Sequence, residues 1–439
     1  MICEVIVDIL NSQVDKIFDY IMPEYLSLNV GQRVLVPFGN RQIEGYILKI
    51  KSTTNYDSSK LKCIIRSLDD FSYLNEETIK IMEHLIKTYN LRYVDCLRLF
   101  VPSVVRTNLK EKFINIISLN ENFNTKITAK QQEIIDFLRV NKNYNLSELN
   151  KQFSPSSIKT LIKNNVLKLN KEKTDRKPYN YLEKQKQEIK LTEEQQNAYN
   201  TIVTNQGDKF LLFGVTASGK TEVYINVIKN VLEKGKSAIL LVPEIGLTPQ
   251  LFKRFSSVFG DNVAIIHSGL SQGEKLDEWL KIKRGECKVV IGARSAIFAP
   301  VENLGIVIID EEHDTSYYSE TNPRYYAKDV AEFRCIFNNA SLVLGSATPS
   351  IESFYKAQQG EYKLITMKKR AVSKKLPEIF VVDMLSEIRR GNASMFSKLL
   401  QMKLVECVKR EEQAIIFLLL CCFANEAATW AIPCSFFPW

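Results

Sequence analysis

The sequence predicts a multidomain protein in which a β-rich N-terminal domain and a small helical domain precede a parallel α/β sheet carrying a phosphate-binding loop. Three observations predict it. The chain has 439 residues, and at about 150 residues per domain this accommodates roughly two to four domains. Its first hundred or so residues read as short alternating runs such as VLVPF and GYILKI, the pattern of half-buried strands. From Leu191 onward, the apolar runs KFLLF, SAILLVP, VAIIH, KVVIG, GIVIID and SLVLGSA alternate with amphipathic stretches, as in a parallel sheet covered by helices on both faces.

Each segment has its own local reasons. Residues 1–105 are punctuated by Gly31, Gly39, Gly45 and a polar loop over 53–60, and close with a helix over 76–90, where Ile79, Met82, Leu85 and Ile86 recur at helical spacing. Residues 110–173 are rich in Lys and Asn and read as three helices, AKQQEIIDFL, LSELNKQF and SPSSIKTLIKN, the last with Ser154 or Ser156 as N-cap, before a strand VLKLN. That is the order of a winged helix; a helical linker subdomain fits the pattern equally well. A charged, Gln- and Lys-rich stretch over 171–190 reads as the linker into the α/β region, residues 188–370.

Composition removes whole classes. With 45% hydrophobic, 25% charged and 10% aromatic residues, the chain is neither disordered, collagenous nor a disulfide scaffold. The net charge of +9 permits a polyanionic partner without requiring one. Nine cysteines, an odd number without paired spacing over most of the chain, predict a reducing cytosol. Glu4 and Asp8 interrupt the opening apolar run, unlike a signal peptide. The longest apolar run, over 414–424, is shorter than the about 18 residues of a membrane span. A soluble cytoplasmic protein without membrane contact is the expectation.

Gly214, Val215, Thr216, Ala217, Ser218, Gly219, Lys220 and Thr221 fit the phosphate-loop pattern, directly after KFLLF and directly before TEVYINVIKNVL. Strand before and helix after separate such a loop from an ordinary glycine-rich turn. Its glycines let backbone N–H groups curl around phosphate oxygens, Lys220 is expected to reach the β- and γ-phosphates, and Thr221 to hold Mg²⁺. GIVIID ends in Asp310, followed by Glu311, Glu312 and His313. A carboxylate at the end of a buried strand is costly unless it is paired or faces a metal. Asp310 is therefore expected to reach Mg²⁺ through water, and Glu311 to orient and deprotonate the attacking water. His313 alone reads equally as a structural imidazole. Ser346 and Thr348, in GSATPS, alone read as an N-capped turn; after the loop and DEEH they read, with His313, as the segment coupling nucleotide state to a nucleic-acid face.

The ordered set GVTASGKTEVY, LVPEIGLTPQ, HSGL, GARSAIFAP, DEEHD and GSATPS, with IFDYIMPE and GQRVLVPFG near the N-terminus, resembles the bacterial primosomal replication-restart DNA helicase family (PriA, primosomal protein N′) of superfamily 2. The resemblance covers residues 1 to about 418 and implies a 3′-DNA-end-binding domain, a winged helix, a RecA-like P-loop ATPase lobe, and over 371–418 the start of a second lobe. It implies ATP and Mg²⁺ as cofactors. By the same resemblance, Phe18, Asp19, Tyr20, Gly39 and Lys62 form the 3′-end pocket, although Asp19 and Tyr20 read locally as a strand-end turn. Gln195 then offers an amide to the adenine edge, or caps a helix with Thr192. Arg294 and Ser295 contact DNA phosphates. Tyr317, Tyr318, Arg324, Tyr325 and Tyr326 supply stacking faces and a cation for single-stranded bases, or pack as a satellite cluster. The expected partners are branched forks and single-stranded DNA, together with single-strand binding protein and other primosome or helicase-loading proteins, in a cytoplasmic, nucleoid-associated setting.

The tail departs from the family pattern. Where the family continues after QAIIFL with an Asn-Arg-Arg-Gly turn, a zinc-binding insertion and the rest of the second lobe, this chain reads Leu419, Leu420, Cys421, Cys422, Phe423. Cys421, Cys422, Cys434, Trp430 and Trp439 cluster where charge nearly vanishes. Adjacent cysteines do not easily reach one tetrahedral ion, so no zinc site is expected, although the full-length family implies Zn²⁺. The expectation is a chain truncated or frameshifted near Leu419, with 419–439 an aberrant hydrophobic tail and motor activity impaired. Two alternatives to a 3′-to-5′ fork helicase are an ATP-independent fork- or 3′-end-binding fragment and another superfamily 2 translocase; the FDY and PFG segments argue against the latter.

Overall fold

The alternating runs of the first hundred residues become five antiparallel strands. They are β1 (Ile2–Val7), β2 (Ile17–Ile21), β3 (Gln32–Phe38), β4 (Arg41–Lys51) and β5 (Arg66–Ser72), in the order β2-β1-β4-β3-β5. The computed structural model describes residues 1–10, 15–101, 113–120, 125, 127–173, 190–246, 248–371 and 378–417. Most of the expected 171–190 linker and all of the 419–439 tail, with its expected truncation, lie outside the described residues. The chain divides into two units, Met1–Ser373 and Lys374–Trp439.

Val5, Val34, Val36 and Ile47 point inward from alternate positions of the N-terminal sheet. Gly45, expected to break a strand, lies inside β4. A Cβ there would stand 2.5 Å from Val5 Cγ1, so glycine serves close strand approach at this position. Gly31 makes a true turn, with φ +82°, where a Cβ would meet Leu74 O at 1.9 Å. The helix Glu76–Tyr89 starts on a capping box between Asn75 and Thr78 and ends at Asn90 in the left-handed region. A shorter helix, Tyr93–Phe100, follows it.

The next segment has its own core of Ile117, Ile134, Ile135, Leu138, Leu149, Ile158, Leu161, Val166 and Leu167. Three helices, Ala129–Val140, Leu146–Gln152 and Pro155–Lys163, pack with β6 (Phe113–Leu119), β7 (Tyr144–Asn145) and β8 (Leu167–Lys173) in the order β7-β6-β8. Three helices with a three-stranded sheet, β6 antiparallel to β8, hold more sheet than the one strand expected after the helices. Ser154, not Ser156, is the N-cap, with Pro155 opening the helix.

The α/β region is a seven-stranded sheet whose paired strands are all parallel, in the order β11-β12-β10-β13-β14-β9-β15. The predicted runs form β9 (Lys209–Gly214), β10 (Ser237–Leu241), β11 (Val263–Ile266), β12 (Val289–Gly292), β13 (Leu304–Asp310) and β14 (Ser341–Ser346). An additional strand, β15 (Lys363–Met367), covers the outer edge of β9. The phosphate loop thus leaves an interior strand flanked by β14 and β15, while β13 ends two strands away.

Glu332 fastens this edge by accepting hydrogen bonds from Lys209 Nζ at 2.8 Å and Tyr362 Oη at 2.5 Å. Burial alone would raise its carboxyl, but the bonds from Lys209 and Tyr362 outweigh it and hold the group below the ordinary Glu range. A depressed folded value means the stabilisation is complete above the unfolded value and is lost as pH falls through the folded one. Glu332→Gln should therefore lower the melting temperature at pH 7, and the gap from wild type should close in acid below pH about 4. An equal gap at both pH values would contradict this.

Within the second unit, the described residues form the helices Met384–Arg389 and Lys398–Lys409, capped by Asp383 and Ser397. In the run QAIIFL, residues 413–417 are without regular structure. An apolar run becomes a strand only where a neighbour completes its ladder, and no described residue pairs with it. No helix among the described residues is long and apolar enough to cross a membrane.

Candidate nucleotide site and nucleic-acid interface

The phosphate loop joins the end of β9 to the helix Lys220–Glu233. Val215 N donates to Met367 O at 3.1 Å, anchoring the loop base on β15, while Thr216 and Ala217 stand exposed at the tip. Ala217 and Gly219 adopt φ of 64° and 82°, and a Cβ on Gly214 would fall 2.7 Å from Ser218 Oγ. Ser218 Oγ is buried and bonds to no partner among the described residues, an arrangement that normally calls for an acceptor. Lys220 Nζ donates to Gly214 O at 3.1 Å and lies 3.6 Å from Glu311 Oε1. Two glycines, Gly214 and Gly219, with no room for a Cβ, an unsatisfied hydroxyl, a nearly buried ammonium and a helix N-terminus together fit a polyphosphate.

Thr221, half-buried, is the second residue of that helix. Gln195 is buried, and both ends of its amide are engaged: Oε1 accepts from Thr192 N at 2.9 Å and Nε2 donates to Ser218 O at 2.9 Å. The capping geometry is thus realised, and the same side chain ties the helix Glu193–Thr204 to the phosphate loop.

At the end of β13, Asp310 Oδ1 accepts from Tyr224 Oη at 2.9 Å. Burial, outweighing the Tyr224 bond, with the neighbouring Glu311 charge, pushes its carboxyl above the ordinary range. Glu311 has φ 45°, a left-handed conformation that costs energy for a non-glycine residue. Its carboxylate lies 3.6 Å from Lys220 Nζ and 3.7 Å from His313 Nδ1. His313 Nδ1 is 2.8 Å from Ser346 Oγ, and its Nε2 is 3.4 Å from Thr348 Oγ1. Ser346 Oγ also accepts from Thr348 N at 2.9 Å. Lys220, Glu311, His313, Ser346 and Thr348 therefore form one connected polar path across the carboxyl ends of the strands.

Arg294 and Ser295 line a cavity of about 680 Å³ together with Tyr318, Lys275 and Trp279. The Arg294 guanidinium is already engaged, donating to Ser316 O at 3.0 Å and Tyr318 O at 2.5 Å and lying over the Tyr325 ring at 5.7 Å. Tyr317 and Tyr325 are buried, at 0% and 3% exposure, and so present no face to a base in this conformation. Tyr317 Oη instead donates to Asp310 O at 2.6 Å. Tyr318 and Arg324 are exposed and Tyr326 is half-buried, leaving an accessible stacking face on Tyr318 and an accessible cation on Arg324.

In the N-terminal domain, Phe18 and Asp19 line a cavity of about 450 Å³ with Lys16, Tyr56 and Lys60. Asp19 is ion-paired with Lys51 at 2.9 Å and accepts from Thr54 Oγ1 at 2.5 Å. Phe18 meets Phe38 edge-to-face at 5.2 Å, beside Gly39, whose carbonyl accepts from Lys62 Nζ at 3.3 Å. Gly39 faces open space. Tyr20 turns into the core, with its hydroxyl on Pro37 O at 3.3 Å, and burial raises that hydroxyl to about 12.

Long-range partners were not foreseen from the sequence. Glu312, 1% exposed, pairs with Lys328 at 3.0 Å and accepts from Ser350 N at 2.7 Å and Ser353 Oγ at 2.8 Å. This clamps DEEH to the helix after GSATPS. Glu222, directly after the loop threonine, pairs with Arg254 at 2.7 Å and so ties the loop helix to the helix that follows LVPEIGLTPQ. Among the described residues, no group of three or more His, Cys, Asp or Glu is placed to hold a metal ion.

The family model described as 3′DNA-binding domain (3′BD) matches residues 4–102, and that of the DEAD/DEAH box helicases matches residues 192–356. The replication restart protein PriA of Bacillus subtilis (strain 168) is 37% identical over 496 residues, covering 94% of this chain and 62% of that protein. PriA of Synechocystis sp. is 45% identical over 234 residues, covering 52% of this chain and 28% of its own length. PriA of Chlamydia trachomatis serovar D is 34% identical over 445 residues, with 93% and 57% covered. The chain spans about three fifths of the Bacillus and Chlamydia relatives it matches.

Proposed function

The chain belongs to the PriA family of replication restart proteins, and from that premise we propose that it is the fork-recognising and ATP-binding portion of a 3′-to-5′ DNA helicase. The observation that carries this reading is the polar path from Lys220 through Glu311 and His313 to Ser346 and Thr348. It gives the phosphate site a direct mechanical link to the segment after β14.

In this reading ATP supplies the phosphoanhydride whose cleavage drives movement on DNA, and Mg²⁺ would neutralise charge on its phosphates. Lys220 and the loop backbone bind the β- and γ-phosphates, while Thr221 and Asp310 would hold the metal, Asp310 through water. Glu311 orients a water and takes its proton. His313 senses the Glu311 carboxylate and hands its displacement to Ser346 and Thr348. Gln195 fixes the loop from behind.

On the DNA side, Phe18, Asp19, Gly39 and Lys62 hold a free 3′ end: an acceptor for the terminal hydroxyl, an open glycine and a cation. Ser295, Arg324 and Tyr318 follow the single strand, with Tyr326 and Arg294 joining when the loop after DEEHD moves. The proposed partners are branched forks, single-stranded DNA, single-strand binding protein and helicase-loading proteins, on the chromosome in the cytoplasm.

A fork-binding role without ATP is the second reading, favoured by the preformed N-terminal cavity. Asp19→Ala should cut the preference for a 3′-hydroxyl fork over a 3′-phosphate fork by about tenfold, the scale of a hydrogen bond to a charged group. Fluorescence anisotropy with both forks measures it, and an unchanged preference would remove Asp19 from the pocket.

A further inference from the structure

We propose that Tyr224 is a positioning residue for Asp310, setting the orientation of the carboxylate that holds Mg²⁺, and that Gly345 is glycine so that the Tyr224 hydroxyl can reach it. The inference rests on the nucleotide-site reading above.

Tyr224 follows the loop lysine by one helical turn, so it points from the phosphate-loop helix into the sheet. It is 1% exposed, and its hydroxyl donates to Asp310 Oδ1 at 2.9 Å. Gly345 stands opposite Asp310 in the β13–β14 register. A Cβ built on it would lie 1.7 Å from Tyr224 Oη, 2.9 Å from its Cζ and 3.4 Å from Asp310 Oδ1. The phenol therefore occupies the space a side chain at 345 would take. The backbone at Gly345 needs no positive φ, so close approach, not conformation, is what calls for glycine.

A phenol is suited to this place. In the buried site it offers a neutral donor, so it fixes one carboxylate oxygen without cancelling the charge a metal needs. A lysine there would compete with the metal as a counter-ion. With one oxygen anchored, rotation of the carboxylate about its Cβ–Cγ bond is restrained, which is how outer partners orient metal-holding groups. Because Tyr224 belongs to the helix that starts at Lys220, a single rigid element carries the phosphate-binding ammonium, the metal-facing Thr221 and the group that aims Asp310.

The test is calorimetric titration of the 439-residue protein with ADP, with and without Mg²⁺, for wild type and Tyr224→Phe. The metal-free affinity should agree within about twofold. The tightening produced by Mg²⁺ should shrink about tenfold or more, the usual consequence of losing an outer partner of a metal ligand. Mn²⁺, which binds oxygen and nitrogen donors more tightly than the alkaline-earth ion, should restore most of it. Gly345→Ala, which keeps the phenol but displaces its hydroxyl, should show the same selective loss, and it serves if Tyr224→Phe does not fold. Wild-type tightening by Mg²⁺ in both variants overturns the proposal. So does an equal loss with and without metal, which would mark a merely structural residue. No ADP binding by wild type would instead overturn the nucleotide-site reading, and this inference with it.

Discussion

Lys220→Ala should weaken ATP binding by at least tenfold while leaving fork binding in the absence of ATP unchanged. Lys220 is 8% exposed, its ammonium held between Gly214 O at 3.1 Å and Glu311 Oε1 at 3.6 Å. The Glu311 side chain is 38% exposed, so the pair itself contributes little, and what the substitution removes is a charge-assisted contact to the phosphates, worth about 1.5–3 kcal/mol. Glu311, in its left-handed backbone conformation, loses its cation at the same time, so the proposed water-orienting residue is disturbed together with the proposed phosphate contact. Lys220→Arg keeps the charge but puts a longer planar fork where a compact ammonium fits, and should recover only part of the affinity. Of the proposed fork-facing groups, Phe18 and Asp19 lie on β2, Gly39 in the turn between β3 and β4, and Lys62 between β4 and β5, around a sheet separate from the one that carries the phosphate loop, which predicts the unchanged arm. Equal ATP affinity for wild type and Lys220→Ala in an equilibrium titration would remove the phosphate loop from the reading.

The parts legible in the sequence are those with a short repeat. Six strands of the parallel sheet were readable because strands buried on both faces are written as continuous apolar runs. β15 was not, because KLITM lies at an edge, where Lys363 and Leu364 are exposed and only Ile365 and Met367 are buried. The phosphate loop and DEEH were readable because phosphate chemistry constrains neighbouring residues. Tyr224 on Asp310, Glu312 on Lys328 and Arg254 on Glu222 were hidden because partners 86, 16 and 32 positions apart leave no local pattern. The tyrosine cluster shows the limit most directly. Tyr317, Tyr318, Tyr325 and Tyr326 look alike in the sequence, but the fold buries Tyr317 and Tyr325 and leaves Tyr318 exposed. Tyr317 Oη meets Asp310 O and Tyr325 packs edge-to-face on Phe298 at 4.9 Å, contacts within the α/β region that no local pattern announces, while the loop between them reaches the N-terminal domain through Asn322 on Asp95.

That domain is joined to the α/β sheet by a buried ion pair, and breaking it should be the most destabilising single change in the first unit. Arg334, 1% exposed, donates through Nε to Glu77 Oε1 at 2.7 Å and through Nη2 to Oε2 at 3.3 Å. Its Nη1 serves Ile297 O at 2.5 Å and Ala299 O at 3.1 Å, and Asn338 Nδ2 reaches Glu77 at 2.8 Å. Glu77 also sits in the first turn of its helix, where the helix dipole favours a carboxylate. Glu77→Ala leaves the guanidinium buried with two carbonyls and no counter-charge, a defect worth about 3–5 kcal/mol. The same face carries the edge-to-face pair Phe100–Phe298 at 5.1 Å, the stacked pair Tyr73–Trp279 at 5.6 Å, and Tyr89, bonded to Asp329 and to Tyr326 N. Weakening it therefore loosens the loop after DEEHD as well as the fold. Urea unfolding should show a clear fall in midpoint for Glu77→Ala and a smaller one for Glu77→Gln, which keeps an acceptor. The double change Glu77→Leu with Arg334→Met should recover most of the loss, because a well-packed apolar pair replaces a buried ionic one at little net cost. If Glu77→Ala unfolds at the wild-type midpoint, the two domains are held by their aromatic contacts and the ion pair contributes only orientation.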